Sequence, residues 1–220
     1  MKVDDDLLQR WRSLGIMFAR SHCNFADPEK TILDSLFLIL DDAKMLFLIT
    51  NWMRQHGDLI HGERLLSLVK ARALSYDELM TLGGLADYAN SFGHRLRSVL
   101  RYVNSKVQKG HVVKTSAQVA LPVQLGQCPP EPSFERYGIR VPTIIDLSAK
   151  ILDTKLIVQT NVWLRNRLFF GCNWRADIYT ALRRKKKART STYRLAKELG
   201  CSNETALRIR KNFELLENIA

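Results

Sequence analysis

The sequence predicts a mainly α protein: an N-terminal helical bundle followed by a smaller C-terminal helical unit. Three observations carry this expectation. Apolar residues recur at three- and four-residue spacing through most of the chain. Prolines concentrate in CPPEPSFERYGIRVP, residues 128–142, which holds four of the six, and proline cannot continue a helix. With 220 residues and 46% hydrophobic content, the chain is long and apolar enough to bury a core.

Taken in order, Asp4 to Asp6 favour the positive end of a helix dipole, and Leu7, Leu8, Trp11, Leu14 and Phe18 follow at near-helical spacing. This predicts a first helix from Asp4 to Arg20. Asp27 reads as an N-cap with Pro28 at the first helical position, opening a second helix that runs on through Thr31 to Leu40. Asp41 and Asp42 cap a third, through MLFLITNWMRQ to His56 and Gly57. Leu36 to Ile49 is apolar almost all round, as expected of the buried centre of a bundle. Met45, Phe47, Trp52 and Met53 read as core packing. Glu63 to Ala73 and Ser75 to Tyr88 continue the helical pattern, the latter with a Ser75/Glu78 capping box. Ser91 to Val107 reads as an amphipathic helix with Arg95, Arg97, Arg101 and Lys106 on a solvated flank.

From Gly110 the character changes. HVVKTSAQVALPVQLGQ has β-branched residues and loose alternation, which predicts one or two short strands or an extended arm. With the prolines that follow, residues 111–142 read as a linker between the bundle, 1–110, and what comes after. Thr143 to Phe170 reads as a long connecting helix, 143–171, with more apolar surface than one packing stripe needs. That surplus suits a homodimer element, and burial against the bundle explains the same residues equally well.

The C-terminal unit, 172–220, contains TSTYRLAKELGCSNETALRIRKNFELL, residues 190–216. Thr190, Ser191 or Thr192 can cap a helix that carries Leu195, Ala196 and Leu199 and stops at Gly200. Ser202 or Asn203 caps a second helix whose stripe is Ala206, Ile209, Phe213 and Leu216. Trp174 to Leu182, with Ile178, Tyr179 and Leu182 inward, supplies a third helix ahead of them.

On these residues, Thr192 to Lys211 resembles the helix-turn-helix of bacterial transcription regulators. In that family the second helix enters the major groove of double-stranded DNA. The resemblance implies that Ser202, Asn203, Glu204 and Arg208 face the bases. Phosphate contacts would fall to Arg183, Arg184, Lys185, Lys186, Lys187, Arg189, Thr192, Arg194, Lys197 and Lys211. NRLFFGCNWRADIYTAL, residues 166–182, also resembles the segment preceding such units in bacterial winged-helix proteins. A two-stranded wing normally follows there; with the sequence ending at Ala220, the wing is expected to be absent or truncated. The bundle is left to sense a ligand, hold a partner protein or dimerise.

The net charge of +12 is placed unevenly. Residues 150–220 hold sixteen Lys and Arg against six Asp and Glu, while residues 1–149 hold eighteen against sixteen. The basic charge therefore accompanies the helix-turn-helix, where it would speed encounter with a polyanion. The alternative function is an antitoxin-like interaction factor, tethered to DNA by its basic end.

No catalytic, metal or cofactor signature emerges. Cys23, Cys128, Cys172 and Cys201 have no metal-ligand spacing. Gly83 and Gly84 are not followed by GK[ST], and there is no GxSxG. HGDLIHGE, from His56 to Glu63, gathers two histidines and two carboxylates. Its glycines and spacing favour ordinary loop polarity over a zinc site. His94 reads as a capping or surface residue. The acidic N-terminus lacks a signal-peptide pattern, and Asp41, Asp42 and Lys44 interrupt the most apolar run, so a cytoplasmic, non-enzymatic protein is expected.

Overall fold

The computed structural model describes residues 5–17, 26–108, 110–184 and 191–219, with side chains to Leu215. Among these the protein has fourteen α-helices and no strand. In chain order they are α1 (Asp5–Ser13), α2 (Pro28–Asp34), α3 (Leu36–Asp41), α4 (Ala43–His56), α5 (Gly62–Ala71), α6 (Tyr76–Ser91) and α7 (Arg97–Asn104). Then follow α8 (Ala117–Gln124), α9 (Pro132–Glu135), α10 (Thr154–Thr160), α11 (Val162–Phe170), α12 (Trp174–Arg184), α13 (Thr192–Leu199) and α14 (Asn203–Ile219). Short 3-10 turns occupy Gly57–Leu59 and Ser148–Lys150.

The caps read from sequence are made. Asp27 accepts from Lys30 N, Asp42 accepts from Lys44 N and Met45 N, and Ser75 and Glu78 form a reciprocal capping box. The core gathers around α4 and α6, where Trp11 and Trp52 meet edge to face at 5.5 Å. Each indole finds an acceptor, Trp11 in Ser35 Oγ and Trp52 in the Leu14 carbonyl. Ser35 also donates to the Thr31 carbonyl, and it is here that the expected second helix divides into α2 and α3. The first helix is shorter than expected, ending at Ser13 before Gly15 turns with φ +97°; Asp4, Phe18 and Arg20 lie outside the described residues.

Residues 111–142 are not a linker. Val113, Val119, Phe134, Tyr137, Ile139 and Val141 are all buried in the main core. In place of strands there is α8, which buries Val119 and Ala120, and one isolated bridge between Pro130 and Pro142. Glu131 N donates to the Val141 carbonyl and Thr143 N to that of Pro129, closing the prolines into a loop that presents Phe134. Gly83 and Gly84 on α6 are the seats for its rings. A Cβ on Gly83 would come within 2.6 Å of Tyr137, and one on Gly84 within 2.5 Å of Phe134.

Nor does Thr143 to Phe170 form one helix. Ile144 to Leu147 runs beside α4 without helix, and buried Asn51 donates to the Ile145 carbonyl and accepts from Leu147 N. Arg54 pairs with Asp146 alongside. The remainder is split at Asn161, which caps α11 through Trp163 N and Leu164 N while donating to Ser13 Oγ and the Ala26 carbonyl. Much of the surplus apolar surface is thus spent within the molecule: Ile151, Ile157 and Leu164 join the bundle core.

The second, smaller core belongs to α12, α13 and α14, with Trp163 of α11 as an added wall. α11 therefore lies between the two cores, sending Leu164 into one and Trp163 into the other. Gly84→Ala should destabilise the protein by about 1–3 kcal/mol, because the Phe134 ring fills the space. A urea midpoint unchanged from wild type would return residues 129–142 to a connecting role.

Candidate nucleic-acid interface

The trihelical unit is built as its sequence pattern requires. Ser191 caps α13 by accepting from Arg194 N, and Leu195, Ala196 and Leu199 are buried. Gly200 ends the helix in the left-handed region at φ +82°, ψ +21°, its N–H donating to the Ala196 carbonyl. Ser202 then caps α14, its oxygen accepting from Thr205 N and its hydroxyl donating to Thr205 Oγ1. Ala206 and Ile209 are buried and Phe213 packs against the same core.

These inward positions fix the outward ones. Asn203, Glu204, Leu207, Arg208 and Lys211 are exposed on α14, and so are Arg194 and Lys197 on α13. Thr192 is half-buried in the first turn of α13. Arg208 lines a groove of about 380 Å³ with Trp174, Arg175 and Asn212. Of the residues expected at bases, Asn203, Glu204 and Arg208 are open to a partner, whereas the Ser202 hydroxyl is committed to capping. Glu204 also stands in the first turn of α14, where a carboxylate suits the helix dipole. Arg183 and Arg184 are exposed at the end of α12, Arg183 donating to the Tyr179 hydroxyl and lying over its ring. Lys185, Lys186, Lys187 and Arg189 lie outside the described residues.

The unit is anchored to the bundle through buried charge, a feature the sequence reading missed. Glu29 of α2 is fully buried and accepts two hydrogen bonds from Arg167, a third from Arg64 and a fourth from His61 N. Arg167 Nε also donates to Asp177 at 2.8 Å, and Asp177 accepts from Trp163 Nε1 and bonds His61 Nδ1 at 2.7 Å. Arg64 pairs with Asp27 and reaches the Leu199 carbonyl at the end of α13. Beside it Ser67 donates to the Gly200 carbonyl, so α5 holds the turn that precedes α14. The available signal was position: Asp177 shares the apolar stripe of Ile178, Ala181 and Leu182, and a charge there requires a partner.

Electrostatics follow burial. Desolvation would raise the Asp177 carboxyl, but the Arg167 charge and the His61 hydrogen bond outweigh it and hold the group below its ordinary 3.8. Asp27 is likewise lowered, against burial, by its hydrogen bond to Arg64.

No protein-family model, curated protein or solved structure matches the chain. Among the described residues no three His, Cys, Asp or Glu side chains are grouped to hold a metal, and no helix is long and apolar enough to cross a membrane. Burial pushes the Cys172 thiol up to about 12, which keeps it protonated and poorly nucleophilic near neutrality. The histidines of HGDLIHGE are not solvated loop groups: His56 bonds the Leu152 carbonyl and His61 bonds Asp177, both buried. His94 is buried as well, between the Arg54 carbonyl and Asp58.

Glu29→Gln removes the charge that faces two buried guanidiniums and should cost about 3–5 kcal/mol of stability in denaturant unfolding. A loss under 1 kcal/mol would mean that water already reaches the cluster. Because the folded Asp177 and Asp27 carboxyls lie below their unfolded value of 3.8, their contribution is present above that value and is lost as pH falls. The urea midpoint should accordingly drop on acidification from about pH 5 to pH 3, and a flat profile would contradict the pairing.

Proposed function

We propose that this protein is a DNA-binding transcription regulator that reads a major groove with α14. The observation that carries the reading is the outward face of α14: Asn203, Glu204 and Arg208 project into solvent while Ala206 and Ile209 fix the helix from behind. Asn pairs bidentately with adenine, Arg with guanine, and Glu accepts from cytosine, so this face can discriminate base edges. Exposed Leu207 adds apolar surface suited to a thymine methyl. Arg194, Lys197 and Lys211 flank it as phosphate ligands, and the surplus of basic residues beyond position 150 supports long-range attraction. Each neutralised phosphate adds about 0.9 to the slope of log affinity against log salt.

A second reading, a protein-interaction factor carried on DNA, is favoured by one feature. Phe169 on α11 is 85% exposed, next to Leu168 at 58%. With the Phe170 ring edge to face against Phe169 at 5.3 Å, these side chains make one contiguous apolar patch, which suits contact with another protein. A stoichiometric partner in a pull-down that is lost on Phe169→Ser would favour it.

Electrophoretic mobility with genomic fragments tests the first reading. Retention should exceed that of a charge-matched control protein and weaken steeply with salt; equal retention would remove the proposal. Arg208→Ala should cost about 1–3 kcal/mol and relax preference at one base pair. Lys197→Ala should weaken all sequences alike and reduce the salt slope by about 1.

A further inference from the structure

A cleft of about 740 Å³ opens where the bundle meets the trihelical unit. One wall is the turn from α4 into α5, bearing Asp58, His61 and Glu63; Arg95 borders it, and Cys172 and Trp174 close the far side. The volume is that of a small-molecule site.

His61 is the informative residue. It is only 5% exposed, its Nδ1 faces Asp177 Oδ2 at 2.7 Å, and its ring meets Trp174 edge to face at 4.6 Å. The Asp177 carboxylate orients the imidazole through Nδ1, as carboxylates do for metal-bound or catalytic histidines, and leaves Nε2 as the ring atom turned to the cleft. Nε2 makes no hydrogen bond to any described residue; the nearest acid is the exposed Glu63, its Oε2 4.0 Å away on the same cleft. A buried, oriented ring nitrogen is thus presented to the cleft.

Charge selects what can fill it. Behind His61, three carboxylates (Asp27, Glu29, Asp177) are matched by Arg64, Arg167 and Lys30, whereas on the rim Asp58 and Glu63 stand with Arg95. The buried layer is balanced and the rim carries one surplus negative charge, in a protein whose net charge is +12. An anion is disfavoured here, and the absence of a third ligand among the described residues disfavours a metal. We propose that the cleft binds a small organic cation, whose ammonium or guanidinium head is held by Glu63, Asp58 and His61 Nε2 against the Trp174 ring. Cation–aromatic contact and charged hydrogen bonds supply the recognition. Resting on the regulator reading, a ligand that touches both α5 and the start of α12 is the effector that sets how the trihelical unit sits on the bundle.

The probes are agmatine and L-arginine, with propionate as the anionic control, followed by tryptophan fluorescence and thermal melting of the full chain. Agmatine should give a saturable fluorescence change and raise the melting temperature. Asp58→Asn with Glu63→Gln, exposed positions outside the Glu29 cluster, of which the first would keep an amide oxygen for His94 Nδ1, should weaken it about tenfold or more. Tighter binding of L-arginine would assign the ligand carboxylate to Arg95; tighter binding of agmatine would assign a simple amine. No saturable response to either cation, an equal response to propionate, or an unchanged affinity in the double variant would overturn the site. Mobility shifts with and without saturating agmatine read the coupling, and identical retention would remove the effector role. Saturable agmatine binding by a protein that retains no duplex would keep the site and remove the DNA reading instead.

Discussion

Four hydrogen bonds converge on the carboxylate of Glu29 in a place water does not reach, and the architecture depends on them. The donors come from α5, α11 and the turn before α5, and Arg167 passes the contact on to Asp177 in α12. Removing ions from water costs several kcal/mol each, so such a cluster is tolerable only when every member is satisfied. A trihelical unit shifted by even one hydrogen-bond length would leave a guanidinium bare. The joint between bundle and unit is consequently close to all-or-none, and apolar packing alone would not make it so.

The location of the joint organises the candidate sites. Arg64 and Ser67 of α5 grip the carbonyls of Leu199 and Gly200, immediately ahead of the exposed leading end of α14. The cleft beside His61 touches the same α5 and the start of α12. One short helix of the bundle is thereby shared between the α14 face proposed for DNA and the cavity proposed for a small cation.

What the sequence made legible was local. Caps at Asp27, Asp42 and Ser75, the left-handed stop at Gly200 and the Ala206/Ile209 stripe are each decided by a few neighbouring residues, and each stands in the structure. The outward placement of Asn203, Glu204 and Arg208 follows from the same periodicity. What stayed hidden depends on partners far away in the chain. The prolines of 129–142 suggested a passage between modules, yet Phe134 is a core residue because Gly84, fifty positions earlier in the chain, leaves room for its ring. Residues 143–147 keep the apolar spacing of the segment after them, but Asn51 takes up the Ile145 carbonyl and the Leu147 N–H, away from any helical ladder. His61 looked like loop polarity since nothing nearby in sequence announces Asp177, 116 positions on.

Trp163 leaves a mark on how such a chain can change over time. It stands outside the three helices it supports, filling their core from α11 while its indole N–H bonds Asp177. A recombination that grafted a foreign trihelical unit onto this body at Gly171 would leave the indole without its acceptor and the newcomer without a wall. Lineages of this architecture are therefore expected to diverge by altering residues on the outer face of α14 while inheriting α11 and α12 as one block.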